Sequence, residues 1–181
     1  MRKITVLVGS LREGSNSGKL AKALEKLSAE HFEFHYPDLN LPLYNEDLWK
    51  NPPASVLKLK ADLAATDAVL FVTPEYNRSI PPVIKNVIDW GSRPWGQSSW
   101  KNKPVGIVGS SPGAVGSAAA QSHLRSILVT QDVFLLGAPE VYFVFKPDSI
   151  DDQGTVADEG SKKFLKSYTD RFAQWIEIVS K

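Results

Sequence analysis

Three short stretches carry residues whose types and spacing suit ligand chemistry. The first reads Gly9-Ser10-Leu11-Arg12-Glu13-Gly14-Ser15-Asn16-Ser17-Gly18. Serine hydroxyls, a guanidinium and successive backbone N–H groups at the start of a helical pattern together suit a phosphate dianion. Gly9 and Gly14 keep the G-x-x-x-x-G spacing of a triphosphate-binding loop, but Ser15-Asn16 stands where that loop needs Lys followed by Ser or Thr. Without the lysine the stretch suits a single terminal phosphate. A dinucleotide fingerprint fails as well, because Leu11 occupies its second glycine position. The competing reading is structural, with Ser15 or Asn16 as a helix N-cap.

The second stretch is Thr73-Pro74-Glu75-Tyr76-Asn77-Arg78-Ser79-Ile80-Pro81-Pro82. Irregular backbone beside an aromatic ring can offer N–H and C=O groups to the edge of a planar heterocycle while Tyr76 contacts it through its ring. A plain turn punctuated by Pro81 or Pro82 at a helix start is the alternative. Glu75 has the chemistry of a general base, against a role as cap or orienting group. The third stretch, Gly109-Ser110-Ser111-Pro112-Gly113-Ala114-Val115-Gly116, contains a G-x-S-x-G match centred on Ser111. A nucleophile elbow requires an acid and then a histidine downstream. Only His123 follows Ser111, with no Asp or Glu between, so a serine hydrolase lacks its acid; a glycine turn that lets backbone approach a flat ligand accounts better for the stretch. His31, His35 and His123 have no ligand spacing, and Asp38, Glu46 and Asp47 offer no more than a weak carboxylate site, so no metal centre is expected.

The elements that must position these stretches follow from periodicity. Residues 4–8, 68–73, 105–108 and 141–145 read as short buried strands, and residues 32–36, with Phe32, Phe34 and Tyr36 alternating against Glu33 and His35, as a weaker edge strand. Helical patterns lie between them: residues 18–30 with Leu20, Leu24 and Leu27 on one face; residues 54–65 with Val56, Leu59 and Leu63; a third with Val83, Val87 and Trp90; a fourth with Leu124 and Leu128; and a fifth with Phe164, Tyr168, Phe172, Trp175 and Val179. Strict β/α alternation predicts an open five-stranded parallel sheet, order 2-1-3-4-5, with helices on both faces and ligands at the carboxyl ends of strands 1, 3 and 4. Residues 38–53 and 91–104 are long connections of the sort that carry function. The second of these holds Trp95 and Trp100, next to Trp90, as either core packing or an exposed aromatic wall.

Composition removes other classes. A chain of 181 residues with a formal net charge of +1 is one domain's length and offers no general attraction to nucleic acid or an anionic membrane. The absence of cysteine removes disulfide frameworks, thiolate metal sites and a thiol nucleophile, and fits a cytoplasmic location. The apolar run after Met1-Arg2-Lys3 is too short for a secretory or membrane segment.

Several blocks in order resemble the NADPH-dependent FMN reductase family, the flavodoxin-like group of bacterial quinone, chromate and azo-dye reductases. They are Gly9-Ser10-Leu11-Arg12 with Gly14-Ser15, Leu43-Tyr44-Asn45-Glu46-Asp47, Thr73-Pro74-Glu75-Tyr76-Asn77, Ser79-Ile80-Pro81, Lys85-Asn86 with Ile88-Asp89-Trp90, and Ser111-Pro112-Gly113, spread over residues 1–145. The resemblance implies a flavodoxin-like three-layer sandwich, a single FMN-binding domain over residues 1–181. It implies that Ser10, Arg12, Ser15, Asn16 and Ser17 hold the FMN phosphate. Pro74, Glu75, Tyr76 and Asn77 would lie against the isoalloxazine, with Ser111 and Gly113 on the loop opposite. It also implies a homodimer or homotetramer with the Trp90 to Trp100 segment and His123-Leu124-Arg125 near the subunit interface.

The activity implied is ping-pong reduction of quinones, or of chromate, azo compounds or free flavin, with NADPH or NADH as donor. No side-chain acid or base is obligatory, because the flavin carries the chemistry. Arg78 stands where an aromatic is common in the family; it either pairs with the 2′-phosphate of NADPH or is a solvated rim charge. The rival reading is a flavodoxin-type electron carrier without nicotinamide activity. Such carriers dock through acidic faces, which this charge balance does not supply globally. A chain this short has no room for a separate nicotinamide domain, so donor and acceptor must use one flavin face in turn.

Overall fold

Residues 68–73 are apolar on both faces, and a strand of that kind has to be covered on both sides. The computed structural model, which describes residues 1–180, places this strand, β3 (Ala68–Thr73), at the centre of the sheet with all six residues buried. β1 (Arg2–Val8) and β4 (Pro104–Ser111) flank it in parallel, with Leu70 opposite Val6 and Phe71 opposite Ile107. β2 (Phe32–His35) forms the edge beside β1, and its alternation of buried Phe32 with exposed Glu33 and His35 is that of an edge strand. It stops one residue short of Tyr36, whose hydroxyl donates to Glu25 at 2.9 Å.

The opposite edge departs from expectation. Instead of one strand over 141–145, two strands share the fifth position: β5 (Phe134–Leu135) beside Pro104 and Val105, and β6 (Val141–Val144) beside Val108 to Ser111. Between these pairings β4 advances three residues, from Val105 to Val108, while its partner advances six, from Leu135 to Val141. The surplus leaves the ladder at a segment containing the cis Ala138–Pro139 bond, where proline has no N–H to donate. The order 2-1-3-4-5 stands, with six strands in place of five.

Period-two alternation sends Ile4, Val6, Leu70, Val72 and Val108 to one face of the sheet and Leu7, Val69, Phe71, Val105 and Ile107 to the other, giving two cores. α1 (Asn16–Leu27) and α5 (Glu159–Val179) cover the first. α2 (Ala54–Ala64), α3 (Pro82–Gly91) and α4 (Ala118–Val129) cover the second. α1 starts and stops earlier than residues 18–30. Ser15 Oγ accepts from Gly18 N at 3.1 Å at one end, and Ser28 Oγ donates to the Leu24 carbonyl at 2.7 Å at the other. On α5 the inward stripe is Leu165, Tyr168, Thr169, Phe172 and Ile176; Phe164 is exposed, and Trp175 is half-buried with Nε1 donating to the Phe134 carbonyl.

The tryptophan segment is mainly core packing and forms no aromatic wall, since only one of its three rings is exposed. Trp90 and Trp100 are fully buried, and Trp95 is 87% exposed with the Arg93 guanidinium over its ring. Trp100 lies on Gly91, where a Cβ would come within 2.5 Å of the ring, and its Nε1 donates to the Ile88 carbonyl at 3.0 Å. The loop after α3 is fastened by Lys60 of α2, whose Nζ donates to the carbonyls of Gly91, Arg93 and Gln97 and to Ser99 Oγ at 2.6–3.3 Å. Burial lowers the pKa of this ammonium, which has oxygen partners but no carboxylate. Among the described residues no helix is long and apolar enough to cross a membrane.

Candidate functional site

At the carboxyl ends of β1, β3 and β4 the three chemistry-bearing stretches converge. Gly9 N donates to the Val72 carbonyl at 2.9 Å, and a Cβ on Gly9 would meet Pro74 Cδ at 2.7 Å. A glycine at this position therefore lets the first loop run flush against the second. Beyond it, Ser15 caps α1, and the first-turn N–H groups of Asn16 and Ser17 have no intrahelical acceptor. The cap bond leaves these donors free, so the helix cap does not compete with the expected anion site. Arg12 is exposed and, among the described residues, enters no ion pair, whereas Arg78 and Arg125 do.

The second loop is a tight turn. Tyr76 N donates to the Ser79 carbonyl at 2.9 Å and Ser79 N to the Tyr76 carbonyl at 3.0 Å, with Asn77 (φ 50°) and Arg78 (φ 66°) between them. Two consecutive non-glycine residues in the left-handed region cost about 1–2 kcal/mol each, so neighbouring structure has to hold the turn. Glu75 supplies part of that hold: its carboxylate, only 9% exposed, accepts from Ala119 N at 3.0 Å and Ala120 N at 3.2 Å. It is the cap of α4, which Ser117 cannot be, since Ser117 is itself left-handed (φ 74°) and makes no side-chain cap bond. Glu75 is therefore an orienting group rather than a free base. Tyr76 N–H closes the turn, so it is not free to meet a ligand, whereas Glu75 N–H makes no backbone hydrogen bond among the described residues.

In the third loop Ser111 Oγ accepts from Gly113 N at 3.1 Å. A Cβ on Gly109 would come within 2.0 Å of Ser117 Oγ and 2.7 Å of the Thr73 carbonyl, so β4 can lie this close to α4 and β3 only with glycine there. Ser111 has no catalytic histidine beside it. The only downstream imidazole, His123, turns its Nδ1 to Ser79 Oγ at 3.0 Å, which leaves the G-x-S-x-G match a structural turn.

Between the loops lies an open cavity of about 240 Å³. Of the expected residues it is lined by Ser10, Arg12, Ser15, Asn16, Ser17, Pro74, Glu75, Tyr76 and Ser111; Asn77 and Gly113 stand outside the lining. Ser110 and Pro112 complete it. Two lining hydroxyls, Ser17 Oγ and Ser110 Oγ, are buried without a hydrogen-bond partner. Leaving such a group unpaired costs about 1–3 kcal/mol, and a polar ligand would relieve it. A larger hollow of about 560 Å³ adjoins at Asn16 and Pro112 and continues to Phe145 and Ile150, but three carboxylates, Asp148, Asp151 and Asp152, outnumber its lysines, Lys146 and the Asp152-paired Lys19, which does not suit a phosphate. Arg78 is 77% exposed and loosely paired, its guanidinium 3.8 Å from Glu75, which makes it a rim charge within the chain.

The histidine spacing concealed one constellation. Glu30 and His31, in the turn before β2, and Asp170 of α5 bring their ligand atoms within 4.8 Å of one another. Lys166 already supplies the cation: its Nζ is 2.6 Å from Glu30 and also pairs with Asp170, holding both carboxyls below their usual range. His35 pairs with Asp62 at 3.1 Å on the exposed edge.

Removing the Glu75 cap tests the link between second and third loops. Glu75→Ala is expected to destabilise the protein by about 1–2 kcal/mol, a fall in Tm of roughly 2–8 °C for this chain length. Glu75→Gln, which keeps an acceptor, should lose less than half of that. Calorimetry on the FMN-free protein checks the ranking, and equal losses for the two would refute the cap.

A phosphate-type loop and a heterocycle-type loop on the carboxyl edge of a sheet ordered 2-1-3-4-5 define a flavodoxin-like mononucleotide-binding protein. Among solved structures the chain is similar to FerB, a flavoenzyme NAD(P)H:(acceptor) oxidoreductase from Paracoccus denitrificans, with a TM-score of 0.95 and 46% identity over 98% of both chains. A flavodoxin from Pseudomonas aeruginosa shares the fold at a TM-score of 0.58 and 20% identity, covering 97% of this chain and 99% of that one. Curated relatives include a 2-hydroxy-1,4-benzoquinone reductase from a Burkholderia species, 45% identical over 96% of each chain. A quinone reductase from Pseudomonas putida is 41% identical over 97% of this chain and 95% of its own. The family model for NADPH-dependent FMN reductases matches residues 2–148. The chain belongs to that family: it is an enzyme with FMN as cofactor and a reduced nicotinamide dinucleotide as donor.

Proposed function

We propose that this chain is a cytoplasmic quinone reductase that folds as one FMN-binding domain over residues 1–181, works as a homodimer or homotetramer, and takes electrons from NAD(P)H. The observation that carries the reading is one cavity in which an unpaired guanidinium, a helix N-terminus and two orphaned hydroxyls meet the turn carrying Tyr76. Bound FMN would take a hydride equivalent from the nicotinamide and pass two electrons to the acceptor.

The chain's own residues bind and orient. Arg12, Ser10 and the α1 N-terminus with Ser15, Asn16 and Ser17 neutralise the phosphate dianion. Ser110 and Ser111 offer hydroxyls to the polar edge of the same ligand. Pro74, Glu75, Tyr76 and Asn77 carry the flat ring system on a turn that α4 holds, and the free N–H group of Glu75 stabilises negative charge at its edge as a preorganised dipole does. Gly113 and Asn77 shape these loops from just outside the cavity. Arg78, on the rim, meets the donor's phosphate. The cavity is open, so donor and quinone can follow one another on one exposed face.

The visible spectrum of the purified protein tests this directly. The expected result is a yellow protein, or one that FMN renders yellow, bleached by anaerobic NADPH and recoloured by benzoquinone. A yellow protein that NADPH leaves unbleached would instead be an electron carrier. One that FMN cannot reconstitute would exclude both readings.

A further inference from the structure

A nicotinamide dinucleotide is two nucleotides joined through a pyrophosphate, and the cavity between the three loops is committed to one mononucleotide. The nicotinamide has to reach the flavin ring, so the adenosine half needs a surface of its own next to the cavity. Two hollows adjoin it. One, of about 230 Å³, shares Ser10, Arg12 and Ser15 with the cavity. Its cations have other partners: Arg12 belongs to the proposed FMN phosphate site, Lys19 pairs with Asp152 at 2.9 Å, and Lys22 donates to the Asp152 carbonyl at 2.8 Å. Val8 is its one apolar side chain, too little for a base to lie on.

The other, of about 560 Å³, meets the cavity at Asn16 and Pro112. Pro112, Phe145, Pro147 and Ile150 give it apolar surface for a purine, as ligand pockets commonly provide. Two of its three carboxylates are occupied. Asp151 Oδ1 accepts from Gln153 N at 2.9 Å and Thr155 N at 2.7 Å, and Asp152 holds Lys19. Asp148 lines the same hollow and, among the described residues, its carboxylate enters no hydrogen bond or ion pair. It stands in the turn from Lys146 to Ser149, closed by Ser149 N donating to the Lys146 carbonyl at 3.2 Å. The 2′-hydroxyl on the adenosine ribose of NADH can donate to such a carboxylate, whereas the 2′-phosphate of NADPH calls for a guanidinium there.

We propose that this hollow receives the adenosine half of the donor and that Asp148 makes NADH the preferred one. The proposal deepens the quinone reductase reading above and rests on it. With NADH, Asp148 accepts a hydrogen bond from the ribose 2′-hydroxyl. With NADPH the same place brings a carboxylate against a phosphate, and Lys146 is the one lysine of the hollow without a partner among the described residues to offset it. Arg78 meets the bridging pyrophosphate, which both donors carry, and so does not tell them apart. Asp148 sets donor specificity and takes no part in hydride transfer.

The test is anaerobic stopped-flow bleaching of the FMN-loaded enzyme by NADH and by NADPH, each below saturation, in the parent and in Asp148→Asn. Asparagine has nearly the same shape and tolerates the left-handed backbone at this position (φ 61°), so the turn survives the exchange. The parent should be reduced by NADH on the order of tenfold faster than by NADPH, the scale of one hydrogen bond to a charged group. In Asp148→Asn reduction by NADH should slow by roughly 3- to 10-fold and reduction by NADPH should not slow, which brings the two near parity. The FMN dissociation constant should stay within about twofold of the parent, as for a surface side chain outside the cofactor's binding set. A parent that favours NADPH, or a donor ratio that the substitution leaves unmoved, would overturn the proposal. Equal slowing with both donors would mean a structural role and overturn it as well. A parent bleached by neither donor would overturn the functional reading and this proposal with it, a result distinct from a flavin that both donors bleach at an unmoved ratio.

Discussion

Arg12→Ala is expected to weaken FMN binding by roughly 10- to 100-fold and to leave turnover of the fully loaded enzyme within a few-fold of the parent. A hydrogen bond to a charged group contributes about 1.5–3 kcal/mol, and each 1.4 kcal/mol or so is a factor of ten in affinity. Among the described residues Arg12 enters no ion pair that its removal would break, so the loss should fall on the ligand and not on the fold. Arg12→Lys keeps the charge but not the planar fork and should recover only part of the affinity. Titration of the FMN-free protein by flavin fluorescence, repeated at rising ionic strength, reads both effects. The parent should weaken with salt more steeply than Arg12→Ala, because an exposed charge is screened. Equal affinity in parent and variant would remove Arg12 from the phosphate site.

The second large effect is on stability. Trp100→Ala should cost about 3–5 kcal/mol, the range for emptying a buried tryptophan site, and lower Tm by roughly 10 °C at this chain length. The ring is fully buried, stacks on Gly91 at a distance no Cβ would allow, and donates its indole N–H to the Ile88 carbonyl. Its removal leaves a void between α3 and β3 and takes from the Ile88 carbonyl one of its two donors, the other being Ser92 N. Trp95→Ala, five residues earlier on the same loop, removes a ring that is 87% exposed and should change stability by no more than about 0.5 kcal/mol. Denaturant unfolding of the two variants side by side decides the matter: comparable midpoints would contradict the partition of the cluster into one exterior and two interior rings.

What was legible in the sequence was whatever local pattern determines. A run such as Ala68 to Thr73, buried at every position, announces a central strand without help from its neighbours. Arg12 and the serines around Gly14 mark a candidate anion loop in adjacent residues, and the structure gathers them at one cavity. What escaped depended on partners far along the chain. The split of the fifth strand follows from how residues 134–144 meet β4, which no periodicity within them reveals. The use of Glu75 is fixed by backbone donors 44 and 45 residues away. Ser110 gave no signal, since a serine at the end of an apolar strand reads as its boundary and not as a cavity wall. Phe164 and Val179 lie off the buried face because α5 turns the stripe through Leu165 and Ile176 inward, a register that side-chain type alone does not reveal.

The cap that Glu75 provides for α4 has a bearing on engineering. The turn from Pro74 to Pro81 forms one wall of the cavity and invites replacement by a loop from another reductase to alter the range of acceptors. It is not a detachable module. A graft without an acidic side chain at position 75 would leave the start of α4 uncapped, because Ser117 cannot substitute, and the loop from Ser111 to Ser117 would loosen with it. Exchange of acceptor preference by loop transplantation would therefore have to move the turn and the first residues of α4 together, as a matched pair.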